Sequence, residues 1–297
     1  MRRGGAAGRR AGGCAGAGRA EVKAAAGFAA LCLLLGSPAG HASEKQRPSF
    51  AWPGGATLAV SLSYDDALPS QLDNALPALN ALGLKASFYL TLSSETLAQR
   101  LPEWRAAAAA GHELGNHTIF HPCSRSAASD RDWVAPHRDL DRLSVAALRD
   151  EIVAANGFLH AIDGRTERTF TAPCGDLRAG GEPYLPAILP LFLGIKSRSG
   201  GVTDDVLAQD LHDVSTWAPV AADADALIGF LERAAAASSG RGLASITFHG
   251  IGGDYLAVSK HAHERLLRHL ATHPGRYWVA TFADVARRAR QPAAQWP

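Results

Sequence analysis

Short β-branched and apolar runs alternate with longer amphipathic segments along most of the chain after residue 56. The short runs have the length and the flanking turn residues of strands, and the longer segments have the 3.6-residue period of helices. This pattern predicts strands at residues 57–64, 86–92, 113–116, 169–172, 193–197, 243–248 and 277–280. It predicts helices near residues 70–82, 102–111, 223–237, 259–273 and 281–290, and one that Ser144 caps and that carries Leu148, Ile152, Phe158 and Leu159 on one side.

Strands that alternate with helices are typical of a parallel sheet wrapped by helices, so we expect an α/β fold with a barrel-like sheet. The stretch from residue 122 to residue 143 interrupts the alternation. It is charged and contains Trp133 and Pro136. Because long loops in compact domains are often functional, we expect this loop to lie near a site.

Two carboxylates end the first predicted strand, and two histidines follow the third. Asp65 and Asp66 close the first strand, while His117 and His121 stand just after residues 113–116. Functional sites in α/β folds are built at the carboxyl ends of strands. The set Asp66, His117 and His121 suits a borderline divalent ion such as zinc and leaves one position open to water. Asp65 would then serve as a base.

The first 42 residues have the pattern of a secretory signal peptide. A basic lead precedes an apolar core at residues 24–36 and a small-residue exit at residues 40–42. The apolar core is short for a bilayer span, so an uncleaved anchor is the lesser interpretation. We therefore expect an exported protein, periplasmic or extracellular, with no stable membrane span after cleavage.

About 255 of the 297 residues follow that leader, which suits one catalytic domain at residues 43–297. The leader holds six basic and one acidic side chains, so its removal changes the formal net charge from +2 to −3. A weakly acidic domain with no basic, aromatic-lined pattern argues against a nucleic-acid partner.

Five short motifs resemble, in the same order, those of the polysaccharide deacetylases, carbohydrate esterase family 4. Residues 63–67 (SYDDA) are similar to the family's Thr-Phe-Asp-Asp-Gly, and residues 117–121 (HTIFH) to its His-Ser/Thr-x-x-His. Residues 171–175 (TAPCG) resemble its Arg-x-Pro-Tyr-Gly, residues 213–217 (DVSTW) its later aromatic wall, and residues 247–249 (TFH) its Leu-x-His.

The resemblance implies a deformed (β/α) barrel of the polysaccharide deacetylase type, with about seven parallel strands. It implies a hydrolase that removes N- or O-acetyl groups from an acetylated sugar polymer or oligomer with metal-activated water, and the predicted leader adds that this hydrolase is secreted. The ion would be zinc, with cobalt and nickel as alternatives. The sequence leaves open which polymer is the substrate.

Residue by residue, the resemblance implies Asp65 as base, His249 as acid and the backbone N–H of Cys174 as oxyanion donor, with Asp66, His117 and His121 as metal ligands. The substrate-binding residues would be Pro173, Gly175 and Trp217, and Trp217 would correspond to the family's aromatic wall, with a place in the core as the alternative.

Three departures from the family pattern matter. Thr171 stands where the family has arginine, so another group must orient and charge Asp65, and Arg168, Arg178 and Arg198 are the candidates that the sequence offers. The second departure is Cys174, which replaces an aromatic residue. Ala67 replaces glycine, which is minor if the backbone there needs no positive φ.

The two cysteines outside the leader, Cys123 and Cys174, are expected to form a disulfide. Cys14 and Cys32 would leave with the signal peptide, and an oxidising compartment favours pairing of the remaining thiols. Two separate buried thiols, or a thiolate ligand to the metal, are the alternatives.

Two further functions remain open from the sequence. One is a small amide or imide hydrolase on the same fold, and the other is a non-catalytic carbohydrate-binding protein, which the missing arginine makes plausible. A second cluster, formed by His261, His263, Glu264 and His269, falls on a predicted amphipathic helix and is expected to face solvent.

Overall fold

All seven predicted strands are present in the computed structural model, which describes residues 50–291. The strands in this range are β1 (Leu58–Asp65), β2 (Ser87–Leu90), β3 (Glu113–Asn116), β4 (Thr169–Thr171), β5 (Arg178–Ala179), β6 (Glu182–Pro183), β7 (Gly194–Ser199), β8 (Val202–Thr203), β9 (Val214–Thr216), β10 (Gly242–Phe248) and β11 (Tyr277–Val279). The pattern did not predict β5, β6, β8 and β9, because two or three residues are too few to show alternation.

Six of the eight helices at residues 50–291 lie close to the predicted positions, whereas the two short ones, Glu95–Gln99 and Leu185–Ile188, were not predicted. The eight are α1 (Leu76–Ala81, after a π-helical turn at Gln71–Ala75), α2 (Glu95–Gln99), α3 (Leu101–Ala109), α4 (Val145–Asp163), α5 (Leu185–Ile188), α6 (Ala224–Ala237), α7 (Lys260–Thr272) and α8 (Phe282–Arg290). Four of them begin after an N-cap side chain that accepts a hydrogen bond from the N–H three residues later. These caps are Ser144, Asp223, Ser259 and Thr281.

The main sheet is parallel apart from one short strand, and it nearly closes into a barrel. Its order is β8-β10-β1-β2-β3-β4-β7-β9, with β11 also paired to β1 and only β8 antiparallel among the strands of this sheet at residues 50–291. The N–H of Trp217 donates to Ser245 O (3.0 Å), and the N–H of Thr247 donates to Trp217 O (2.8 Å). These bonds join the end of β9 to β10, so the deformed (β/α) barrel is confirmed, with eight parallel strands rather than about seven.

Strand β1 separates an apolar outer layer from a polar interior. Its residues Val60 and Leu62 belong to the main hydrophobic cluster that the helices cover. Ser61 and Ser63 alternate with them, are fully buried and therefore face the other side of the sheet. The interior of this barrel is thus polar beneath the carboxylates that end β1.

Two expectations about helix faces were wrong. Phe158 is 55% exposed on α4, whereas Leu148, Ile152 and Leu159 are buried. On α7 the side chain of His263 is fully buried, and its Nε2 lies 2.6 Å from the Tyr64 hydroxyl. A buried hydroxyl supplies the hydrogen-bond partner that lets a histidine occupy a core position.

The predicted signal peptide at residues 1–42 lies outside the described residues. None of the eight helices at residues 50–291 has the length and apolar content that crossing a bilayer requires.

Candidate metal centre and active site

The tip of β1 places two carboxylates at one end of the barrel. Asp65 is the last residue of the strand, and Asp66 and Ala67 follow in left-handed conformations with φ of 80° and 55°. The N–H of Asp66 donates to Tyr89 O on β2 (3.1 Å), which holds this turn against the sheet. Ala67 therefore does occupy a positive-φ position, contrary to the condition under which we expected the loss of glycine to be minor.

A tight loop after β3 brings the two histidines together. Thr118 and His121 both have positive φ, and the N–H of His121 donates to Thr118 Oγ1 (2.9 Å). From α4, Glu151 Oε1 accepts hydrogen bonds from the N–H groups of Ile119 and Phe120. The spacing of His117 and His121 thus brings their side chains together through a tight loop, not through one face of a helix.

Asp66, His117 and His121 converge on one point. Asp66 Oδ1 lies 3.2 Å from His117 Nε2 and 3.2 Å from His121 Nε2, and the three ligand atoms all lie within 4.8 Å of one another. The structure therefore brings the three predicted ligands together.

Hydrogen bonds on the far side of both imidazoles fit a cation at this point. His117 Nδ1–H donates to the Thr171 carbonyl (2.8 Å), which points Nε2 of the ring at Asp66. His121 Nδ1 lies 3.5 Å from the sulfur of Cys123, which in a disulfide can only accept. Two imidazole nitrogens and a carboxylate oxygen are donor atoms that suit a divalent cation, and such outer hydrogen bonds are typical of metal-binding histidines.

The two aspartates are in different electrostatic environments. Burial would raise the pKa of Asp66, but hydrogen bonds and attraction from His117 and His121 outweigh it and hold the pKa well below its usual range. For Asp65 burial dominates and raises the pKa, although His117, His249 and Lys196 act in the opposite direction. Two neighbouring carboxyls with pKa values moved apart are typical of divided roles.

His249 approaches the same carboxylate from the end of β10. Its Nε2 lies 3.8 Å from Asp66 Oδ2, and that oxygen also accepts a hydrogen bond from the Tyr255 hydroxyl (3.0 Å). The intervening turn requires glycine at position 250, where a Cβ would lie 2.0 Å from Gly253 O. Tyr255 was not predicted as a site residue, although the glycine-rich turn before it was an available signal in the sequence.

These side chains line one cavity of about 1120 Å³, larger than most small-molecule pockets. Trp133, from the long loop at residues 122–143, lines it and is 63% exposed. Tyr255 and Leu256 line another part of it and are also exposed. The long loop thus reaches the site, as its length suggested.

The predicted disulfide between Cys123 and Cys174 is present, with Cα atoms 5.8 Å apart. It links the loop after His121 to the turn after β4. Because both sulfurs are bonded to each other, neither is a thiolate ligand in this structure. Cys174 has φ of 56° and lines the cavity together with Gly175, whereas Pro173 is buried and not among the lining residues.

Trp217, for which a core role was the alternative to a substrate platform, is not among the residues that line the cavity. Its ring packs against Phe230 with centroids 4.7 Å apart, and its backbone closes the barrel. Its neighbours Thr216 and Ala218 line the cavity instead. This arrangement explains Trp217 as part of the fold, and it leaves Trp133 and Tyr255 as the exposed aromatic rings of the cavity.

The three arginines considered in place of the family's arginine have other partners. Arg168 forms a buried ion pair with Asp163, and Arg178 donates to Gly181 O. Arg198 lines the cavity but pairs with Asp213 (2.9 Å) and is half exposed. A cation that sequence analysis did not consider, Lys196 of β7, is buried and lines the cavity.

The nearly closed parallel sheet, with a polar site at the carboxyl ends of its strands, places this protein in the class of deformed (β/α) barrels. Residues 44–180 match the family model for polysaccharide deacetylase. This match supports the polysaccharide deacetylase family for residues 44–180.

Solved structures share the fold at low sequence identity. A protein described as a probable polysaccharide deacetylase from Pseudomonas aeruginosa is 13% identical, with a TM-score of 0.53 over 84% of this chain and 95% of that one. A candidate polysaccharide deacetylase from Mycobacterium smegmatis is 14% identical, with a TM-score of 0.50 over 82% and 94% of the two chains.

One curated relative also matches. A gellan lyase of a Bacillus species is 24% identical over 257 residues, which cover 81% of this chain. The match spans 10% of the length of that relative.

Proposed function

We propose that this protein is an exported, metal-dependent deacetylase that removes N- or O-acetyl groups from a polysaccharide or oligosaccharide. The observation that carries the proposal is the convergence of Asp66, His117 and His121 beside Asp65 and His249 in one open cavity. The match of residues 44–180 to the polysaccharide deacetylase family model supports the reaction class.

Asp66, His117 and His121 would hold the ion, which we propose to be zinc, with cobalt and nickel as alternatives. Two imidazole nitrogens and one carboxylate oxygen suit these borderline metals. A divalent ion bound there would lower the pKa of a water molecule and polarise the acetyl carbonyl.

Asp65 is the proposed base. Its Oδ1 is buried at the cavity and has no hydrogen-bond partner among the described residues, so it can accept a proton from water. Its Oδ2 lies 3.8 Å from His117 Nε2, compared with 3.2 Å for Asp66 Oδ1, which fits a group that stands beside the ligands without being one of them.

His249 is the proposed acid. It faces Asp65 and Asp66 from β10, on the opposite side of β1 from the histidine loop, and lines the cavity. A protonated imidazole at this position can give a proton to the departing amine or alkoxide. The N–H of Cys174, on the far side of the cavity, would stabilise charge on the acetyl oxygen.

The open cavity favours a sugar polymer over a small amide or imide. Trp133 and Tyr255 are both more than half exposed and offer ring faces on which a sugar can stack. A pocket for a small metabolite would instead bury most of the ligand surface.

Acetate release from acetylated chitin fragments, peptidoglycan and acetylated xylan tests the proposal. Release that a chelator abolishes and zinc restores is the expected result. Binding to the polymer without acetate release would support the non-catalytic alternative, and turnover of small imides alone would support the second enzymatic one.

A further inference from the structure

Lys196 extends across the barrel interior from β7 to β1. Only 3% of the residue is exposed. Its Nζ donates to Ser61 Oγ (3.3 Å) and to Ser63 Oγ. Because Ser61, Ser63 and Asp65 alternate along β1, all three face the same side of the strand. The ammonium therefore lies on the same face of β1 as the carboxylate of Asp65, which is two residues beyond Ser63 along the strand.

The register of two strands explains how this cation reaches the site. Lys196 on β7 pairs with Thr171 on β4, and residues paired in a parallel sheet point to the same face. Thr171 Oγ1 lies 2.7 Å from His117 Nδ1, and both Thr171 and Lys196 line the cavity. Thr171, at the position that resembles the family's arginine, thus has a short polar side chain. The cation Lys196 occupies the paired position on the neighbouring strand.

A buried ammonium needs negative charge nearby, because desolvation of an isolated ion is costly. Burial lowers the pKa of Lys196 to about 8, while the charges of Asp65 and Glu113 act to raise it. Glu113 is already satisfied by hydrogen bonds from Ser87 Oγ, Thr169 Oγ1 and the N–H of Ala283. Asp65 Oδ1 has no such partner among the described residues.

We propose that Lys196 is the positioning residue for Asp65: its charge offsets the buried negative charge and keeps the carboxylate directed into the cavity. The role in turnover rests on the proposed deacetylase function, whereas the charge pairing does not. The serine hydroxyls of β1 fix the ammonium, so the lysine acts through Asp65 and not on the substrate.

A thermal double-mutant cycle on the metal-free protein tests the pairing without any assay of activity. The variants are Lys196→Met, Asp65→Asn and their combination, with Lys196→Gln as a neutral side chain that can still bond the serines. We expect Lys196→Met to lower Tm, and we expect that loss to be about 2–4 °C smaller in the Asp65→Asn background.

Two controls decide the assignment. Lys260→Met, at an exposed lysine, should show the same small effect in both backgrounds. A parallel cycle with Glu113→Gln measures the competing partner. Equal losses in the two Asp65 backgrounds, or coupling to Glu113 alone, would overturn the proposal. If Lys196→Met does not fold, the Lys196→Gln cycle decides in the same way.

Kinetics then test the effect on turnover. Lys196→Met should lower kcat roughly 10- to 100-fold, a part of what a positioned base contributes, with KM and bound metal unchanged. Adding Thr171→Arg to that variant returns a cation to the paired position and should recover part of kcat. Loss of kcat without any recovery would indicate a merely structural lysine. If the wild-type protein releases no acetate, the proposed function fails, and the thermal cycle still decides the charge pairing.

Discussion

The Nδ1–H of His117 donates to the carbonyl oxygen of Thr171 across 2.8 Å, and this contact directs the opposite nitrogen of the ring at Asp66. Strand β4 therefore orients a metal ligand that belongs to the loop after β3. The ligand set depends on strand pairing as much as on the residues that compose it.

The first prediction concerns the metal. Purified protein should retain about one divalent ion per chain after dialysis, because three converging ligands are enough for a catalytic zinc site. His117→Ala should lose the ion, whereas His160→Ala, on α4, should keep it. Elemental analysis measures both. Absence of metal in the wild type, with no activation by zinc, cobalt or nickel, would refute the site.

The second prediction separates the two aspartates. Asp65→Asn should keep the metal and lose a factor of roughly 100 to 10,000 in kcat, the usual contribution of a positioned base. Asp66→Asn should lose the metal, because it removes a charged ligand. Metal content and kcat, measured on both variants, check the division. If Asp65→Asn released the ion and added zinc then restored activity, the two roles would be reversed.

The third prediction concerns the disulfide. Replacing Cys123 and Cys174 together by alanine should destabilise the fold by about 4 kcal/mol in the chain-entropy model, since the bridge closes a 51-residue separation. Denaturant unfolding of the variant and of the reduced wild type should give similar losses. Peptide mapping of folded, active protein that found two alkylatable thiols would exclude the bridge.

The fourth prediction follows from the buried histidine on α7. Burial lowers the pKa of His263 to about 3, below its value of about 6.5 in the unfolded chain. The unfolded state therefore binds the extra proton, and stability is full above pH 6.5 and is lost as pH falls toward 3. At pH 5 this loss is about 2 kcal/mol from His263 alone.

Unfolding of His263→Gln at pH 7 and pH 5 checks this sign. The variant should be less stable at pH 7 and should lose less on acidification than the wild type. His261→Gln, an exposed change on the same helix, is the matched control and should follow the wild type. Parallel pH dependence in all three proteins would contradict the assignment.

The fifth prediction distinguishes two tryptophans. Trp133→Ala should raise KM for a sugar polymer about 3- to 10-fold, the loss of one stacking contact, with little change in Tm. Trp217→Ala should instead lower stability by about 3 kcal/mol, because its ring packs against Phe230 beneath the barrel closure. Steady-state kinetics and thermal unfolding of both variants check the contrast. The reverse pattern would restore Trp217 as the substrate platform.

Local sequence was sufficient to locate the strands and the polar residues that end them. Asp65 and Asp66 follow an apolar, β-branched run, and His117 follows a short run after a helix stop, so periodicity and turn residues predict their place at strand ends. The disulfide followed from counting, since only Cys123 and Cys174 lie outside the predicted leader. Each of these features depends on residues close together in the chain or on composition.

The tertiary structure alone decided which distant side chains meet. The pairing of Lys196 with Thr171 depends on the register of β4 and β7, and the burial of His263 depends on the Tyr64 hydroxyl almost 200 residues away. The role of Trp217 depends on β9 meeting β10. Sequence periodicity shows which face of an element is apolar, but pairing and closure are set by the packing of the whole barrel, and no short window of sequence contains that information.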